Sequence, residues 1–160
     1  MKKNKKNFLY LIIFLFLPQI IGFLGAAFTI PAIKNWYQSL QKPFFSPPKF
    51  IFAPVWTLLY FFIGIASYLV FKEDKNRQEV RGLLEIYFIH LFLNLLWTIL
   101  FFGFKSPLLA FLEIIILWVF VLFLTVNFYK INKASGILFS FYLAWISFAS
   151  VLNFAIFILN

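Results

Sequence analysis

The polar side chains buried in long apolar runs are the places where this sequence could do chemistry. Tyr87, His90, Asn94, Trp97 and Phe101 recur at steps of three and four, so they share one helical face. Phe52, Trp56, Tyr60 and Gly64 form a second such stripe, and Tyr142, Trp145, Ala149 and Asn153 a third. Glu113 stands alone in the middle of another apolar run. An acid there is costly and is by default a functional candidate. Indoles and phenyls with few hydrogen-bonding groups suit a flat, hydrophobic, conjugated molecule. Asn94 and Asn153 have two open readings, as ligand contacts or as hydrogen-bonding glue between helices. Nothing pairs a nucleophile with a base, an acid with a base, or a loop with a phosphate. His90 lacks companion ligands, so no metal site is expected, and the absence of cysteine removes thiolate chemistry.

The elements that carry these residues follow from composition. The 160-residue chain is 64% hydrophobic and only 12% charged, about half the charge of a soluble domain. Uncharged stretches of 27 and 22 residues lie between Lys6 and Lys34 and between Lys49 and Lys72. Stretches of 23 and 24 residues follow between Arg81 and Lys105 and between Lys105 and Lys130, broken only by Glu85 and His90 and by Glu113. No charge occurs after Lys133. A bilayer core of about 30 Å needs roughly 20 apolar residues at 1.5 Å each, so all five stretches can span it. The expected fold is all-α, a single five-helix transmembrane domain over residues 1–160. Its helices are expected near 8–29, 50–71, 83–102, 108–129 and 134–159. The basic start followed by an apolar run resembles a secretory signal, but the run is long for one and contains Pro18.

The net charge of +9 is a matter of topology rather than nucleic-acid binding. With the N-terminus cytoplasmic, ten of the 14 basic residues fall inside, and only Lys34, Lys42, Lys49 and Lys105 fall outside. The positive-inside rule favours that orientation and puts the C-terminus outside. Gly22, Gly25, Ala26 and Thr29 give the first helix a small-residue face for close contact. Residues 30–49, with Pro31, Pro43, Pro47 and Pro48, form a connection longer than packed helices usually need. It reads either as an aromatic interface anchor, through Trp36 and Tyr37, or as a stiff lid. At 1.5 Å per residue, Trp56, Asn94, Trp97, Glu113 and Asn153 lie about 9–13 Å below the outer ends. That is one level beneath the loop, the arrangement of a ligand pocket in a bundle. Lys34, Lys42 and Lys49 at its rim suit carboxylates. Trp118 falls on another face than Glu113. A loose sterol-type pattern, Val126-x-x-Tyr129-x-x-x-Lys133, is weak as a signal.

Several motifs resemble one family. Trp36-Tyr37-x-x-Leu40-x-Lys42-Pro43, Pro47-Pro48 and Phe52-x-Pro54-Val55-Trp56-Thr57-x-x-Tyr60 are followed by Asn94-x-x-Trp97 with Phe101-Phe102-Gly103. Tyr142-x-x-Trp145 and Ala149-x-x-Leu152-Asn153 complete the series. Together they resemble the tryptophan-rich sensory protein and mitochondrial translocator protein family, the peripheral-type benzodiazepine receptors. The resemblance implies a five-helix membrane receptor or carrier, commonly a homodimer, in a bacterial cell membrane. It implies binding of porphyrins such as protoporphyrin IX and haem, with a role in tetrapyrrole handling or stress regulation. The porphyrin would be a ligand, with no cofactor required. Position by position it implicates Trp36, Tyr37, Trp56, Asn94, Trp97, Trp145, Ala149 and Asn153, and Glu113 where members often carry an acid. It also offers an enzymatic alternative, light- and oxygen-dependent porphyrin breakdown at Trp56 and Trp145. Phe44-Phe45 departs from the tryptophan usual after Lys-Pro, and the animal sterol consensus near the C-terminus is absent.

Overall fold

Long apolar runs become helices, even across Pro18, Pro31 and Pro54, because only a helix satisfies its backbone polar groups inside lipid. The computed structural model describes residues 2–73 and 77–160. Its helices are α1 (Lys2–Lys34), the short α2 (Trp36–Ser39), α3 (Lys49–Glu73), α4 (Arg77–Thr98), α5 (Pro107–Ile131) and α6 (Lys133–Leu159). A π-helical turn, Ile99–Gly103, extends α4. Five of these helices are long and apolar enough to cross a membrane, and the described residues contain no strand. The chain is an integral membrane protein. The turn residues 74–76, including Lys75 of the charge argument, lie outside the described residues.

The five spans close into a ring. α1 touches α3 and α4, α3 touches α6, α6 touches α5, and α5 returns to α4. The α5–α6 hairpin is the most extensive contact, with its register set by Phe111 against Phe154, Trp118 against Ser147 and Phe128 against Phe139. Asn132 makes the tight connection: its side chain accepts from the Ser135 N–H and caps α6. The same amide donates to Glu73 Oε1 at 2.7 Å, tying the hairpin to the end of α3.

Close approach of α1 has an identifiable cause. Pro18 has no N–H to bond the Phe14 carbonyl one turn earlier. α3 comes up against that carbonyl, and a β-carbon on Gly64 would lie 2.5 Å from its oxygen. Gly22 likewise makes room for the Tyr60 ring, and Gly25 for Thr98. Two members of the small-residue face of α1 thus face neighbouring helices.

Several boundaries differ from the sequence expectation, and both α1 and α4 begin earlier, at Lys2 and Arg77 rather than near 8 and 83. α1 continues past Thr29 through Pro31 to Lys34, and α2 takes up part of the expected loop. The proline stands in a helix already formed, where it removes one hydrogen bond without ending the run. The segment that is neither helix nor helical turn is therefore shorter, 40–48.

Candidate functional site

The α4 stripe faces the interior, and two of its polar members, Asn94 and Trp97, are tied to other helices. The Tyr60 hydroxyl donates to Asn94 Oδ1 at 2.7 Å, and Asn94 Nδ2 donates to the Tyr142 hydroxyl at 2.8 Å. One amide thereby joins α3, α4 and α6. One turn outward, Trp97 Nε1 donates to Asn153 Oδ1 at 2.9 Å, and Asn153 Nδ2 donates to the Pro107 carbonyl at 2.8 Å. An indole can only donate and a carbonyl only accept, so these partners fix the orientation of the Asn153 amide. Both asparagines make interhelical bonds in this structure, which favours their reading as glue.

The aromatic members fall into two neighbouring groups. Between α3 and α6, Trp56 lies 5.4 Å from Tyr60 and 6.3 Å from Tyr142, ring centre to ring centre. Phe52 meets Trp145 edge-on at 6.1 Å, and Trp145 meets Phe148 at 5.5 Å. Phe45 of the loop reaches Phe148 at 6.4 Å, so the loop touches this wall directly. Ala149 packs on the same core. On the other side, Trp97 stacks on Phe101 at 5.3 Å with planes 21° apart, and Trp36 meets Phe101 edge-on at 5.6 Å. Tyr37, buried, covers Phe101 and Phe102.

Two polar groups near this wall stay unsatisfied. Trp145 Nε1 and both Glu113 carboxylate oxygens are buried with no hydrogen-bond partner among the described residues. The α5–α6 register puts Glu113 opposite the turn from Ala149 to Asn153. Buried polar groups are nearly always paired, so each of these is a marker for a ligand or a proton site. His90 is fully buried deeper in the bundle, and its Nδ1 lies 2.9 Å from the Tyr87 carbonyl. A carbonyl only accepts, so Nδ1 carries a proton, and Nε2 has no hydrogen-bond partner among the described residues. Trp118 bonds Ser147 Oγ at 2.8 Å across the hairpin, apart from the aromatic wall.

The loop is held closed over the wall. Asn160 accepts from the Gln41 N–H at 2.9 Å and donates to the Gln41 carbonyl at 3.0 Å. Lys42 donates to the Leu40 carbonyl at 2.9 Å and sits 4.8 Å over the Tyr37 ring. Burial, and then the neighbouring Lys49, lower the Lys42 ammonium below the ordinary lysine value. Burial raises the Tyr37 phenol, partly opposed by Ser46. Lys42 is therefore engaged within the loop, while the Phe44 side chain is fully exposed beside it.

Motif order, five spans and the Trp97–Asn153 and Tyr60–Asn94–Tyr142 ties now stand together, and comparison with known proteins decides the relationship. The sequence profile of the TspO/MBR family matches residues 14–159. The chain belongs to the TspO/MBR family. It is 44% identical over 155 residues to the tryptophan-rich protein TspO of Archaeoglobus fulgidus, covering 96% of this chain and 99% of that one. It is 35% identical to the tryptophan-rich sensory protein of Cereibacter sphaeroides, over 85% of each chain. The bovine translocator protein is also 35% identical, over 88% of this chain and 84% of its own. Periodicity in the sequence finds the stripes but not their partners. The Pro107 carbonyl, the Asn160 contact and the Trp118–Ser147 bond each join residues remote in sequence, and no local pattern announces them.

Proposed function

We propose that this protein is a membrane receptor or carrier for porphyrin-type tetrapyrroles, protoporphyrin IX and haem among them, and for other flat aromatic ligands. The observation that carries this reading is the buried, unpartnered Trp145 Nε1 within a wall of rings directly under the loop. Phe52, Trp56 and Trp145 offer aromatic faces and edges to a macrocycle inserted between α3 and α6, as Phe45 swings away. Ala149 gives it clearance, Trp36 and Tyr37 close the outer end, and Trp97 braces the floor. Glu113 supplies a hydrogen-bonding group at the same level. In this reading Asn94 and Asn153 hold the helices that frame the site. The protein works as a homodimer in a bacterial cell membrane, with its N-terminus cytoplasmic and the loop and C-terminus outside, in tetrapyrrole handling or stress regulation.

Titrating the purified protein with protoporphyrin IX while following tryptophan fluorescence tests the site. Saturable quenching is expected in the wild type, with most of it lost in the Trp56→Phe/Trp145→Phe double variant. Quenching of the remaining indoles with unaltered affinity in that variant would put the ligand elsewhere.

A second reading is photo-oxidative breakdown of the bound porphyrin. It is favoured by the contact of Trp56 with Tyr60 and Tyr142, an oxidisable indole set against two phenols. Illumination of the complex in air should then bleach the Soret band faster than in detergent alone, and Trp56→Phe should slow the loss.

A further inference from the structure

The outer end of α4 departs from regular geometry twice. The π-helical turn Ile99–Gly103 closes with the Phe104 N–H on the Ile99 carbonyl at 2.8 Å. The Ser106 N–H then reaches the Leu100 carbonyl at 3.1 Å, and Lys105 beneath it is left-handed at φ 55°. Helices commonly end on one left-handed residue, but it is usually glycine, because a β-carbon is crowded there. π turns and left-handed non-glycine residues are both enriched at functional sites.

Both features border one groove of about 280 Å³ between α1 and the π-helical turn. Its floor is formed by Ala27, Pro31 and Gly103, which belong to the membrane spans. Its mouth is formed by Asn35, Trp36 and Lys105, each just beyond the end of a span. The glycine lets the Phe28 ring, which also lines the groove, pack close on the α4 side, since a β-carbon on Gly103 would come within 3.1 Å of that ring. All three mouth side chains carry N–H donors, and none has a hydrogen-bond partner among the described residues.

The charge balance at this end points to an anion. Of the five acidic residues, Glu73 ends α3, Glu79 and Glu85 lie in the first half of α4 at the opposite end, Asp74 falls between those two helices in sequence, and Glu113 is inside α5. Lys34, Lys42, Lys49 and Lys105 therefore share the lid end with no acidic side chain outside the spans. Lys42 is engaged with the loop carbonyls, whereas Lys105 stands at the groove. An apolar trough inside the span, ending in an ammonium, an amide and an indole N–H at its edge, matches an amphiphile. Its chain would lie along the helices and its several-oxygen anionic head would meet three donors.

We propose that this groove is a binding site for an anionic phospholipid, with the phosphate at Lys105, Asn35 and Trp36 and an acyl chain along Ala27, Pro31 and Gly103. It lies apart from Trp56 and Trp145, shares only Trp36 with the proposed tetrapyrrole site, and stands whether or not that site binds a tetrapyrrole. A lipid seated there braces Trp36 against Phe101, and through it the outer turn of α4.

Native mass spectrometry of the delipidated full chain tests this, using dioleoylphosphatidylglycerol, dioleoylphosphatidylcholine and oleate as separate probes. Wild type should retain the glycerol lipid about fivefold more strongly than the choline lipid, the effect of one lysine near a membrane surface. Lys105→Gln should remove that preference. Ala27→Trp, a change at an exposed position that fills the floor, should weaken retention of both phospholipids. Circular dichroism checks that each variant is helical, and Ala27→Leu replaces the tryptophan variant if it is not. Equal retention of the two phospholipids by wild type overturns the proposal, as does wild-type preference in Lys105→Gln or undiminished retention in the Ala27 variant. Lys105-dependent binding of oleate but not of the glycerol lipid also overturns it, in favour of a carboxylate amphiphile.

Discussion

Asn160 grips both backbone groups of Gln41, accepting from its N–H at 2.9 Å and donating to its carbonyl at 3.0 Å. The pair is 119 positions apart in sequence and joins the end of α6 to the loop above the aromatic wall. A third bond, from Asn160 Nδ2 to the Ile156 carbonyl at 2.8 Å, fixes the amide to its own helix. The loop is thus held by a side chain that imitates a strand edge.

Removing that grip should loosen the loop without unfolding the bundle. Asn160→Ala deletes two loop bonds worth about 1 kcal/mol each at most. Hydrogen exchange at the Gln41 amide should quicken by about tenfold or more, while amides in the middle of α6 keep their rates. Unchanged exchange at Gln41 would show that Phe45 and Tyr37 hold the loop alone.

The Trp97–Asn153 bond should show direct energetic coupling. Trp97→Phe and Asn153→Leu are each expected to destabilise, and the double-mutant cycle should return about 0.6–1.7 kcal/mol, the range for hydrogen bonds between membrane helices. Unfolding in a mixed-detergent titration supplies the numbers, and additive effects would argue against the contact.

Two glycines should respond with opposite sign. Gly64 faces the Phe14 carbonyl at a distance no β-carbon tolerates, so Gly64→Val should destabilise by about 1–3 kcal/mol or more. Gly82, in α4, has open space where its β-carbon would stand. Gly82→Ala should therefore stabilise by about 0.5–1 kcal/mol through helix propensity. Thermal melts of both variants in one detergent decide the matter.

Lys105 should be a residue whose removal helps the fold. Its left-handed backbone suits glycine, so Lys105→Gly in lipid-free detergent should stabilise by up to about 1 kcal/mol. A lowered melting temperature there would mean that the lysine side chain supports the fold itself.

Glu113 should show the same opposition between stability and function. Both its oxygens lack hydrogen-bond partners among the described residues, so Glu113→Gln or Glu113→Leu should leave the melting temperature equal or raise it. Porphyrin affinity, measured by fluorescence, should fall in the leucine variant. A marked loss of stability on Glu113→Gln would mean that the acid serves packing.

The sequence alone determined the solvent. Five runs of 22 or more residues, three uncharged and two holding a single acid each, leave a helix as the only way to satisfy the backbone in lipid, so fold class and span number were legible from spacing. The three-and-four spacing of Tyr87, His90, Asn94, Trp97 and Phe101 likewise determined which residues share a face. Only the tertiary structure decided what that face meets. Asn94 is tied by Tyr60 and Tyr142, and Asn153 by Trp97 and the Pro107 carbonyl, so two candidate ligand contacts are already engaged between helices. Lys42 turns onto Tyr37, and α1 runs on through Pro31, because carbonyls, ring faces and helix continuity outweigh what each residue suggests alone. Hydropathy acts on each residue independently and survives in any arrangement. Hydrogen-bond partnership depends on which helices become neighbours, and that order, α1–α3–α6–α5–α4, exists only once the ring has closed.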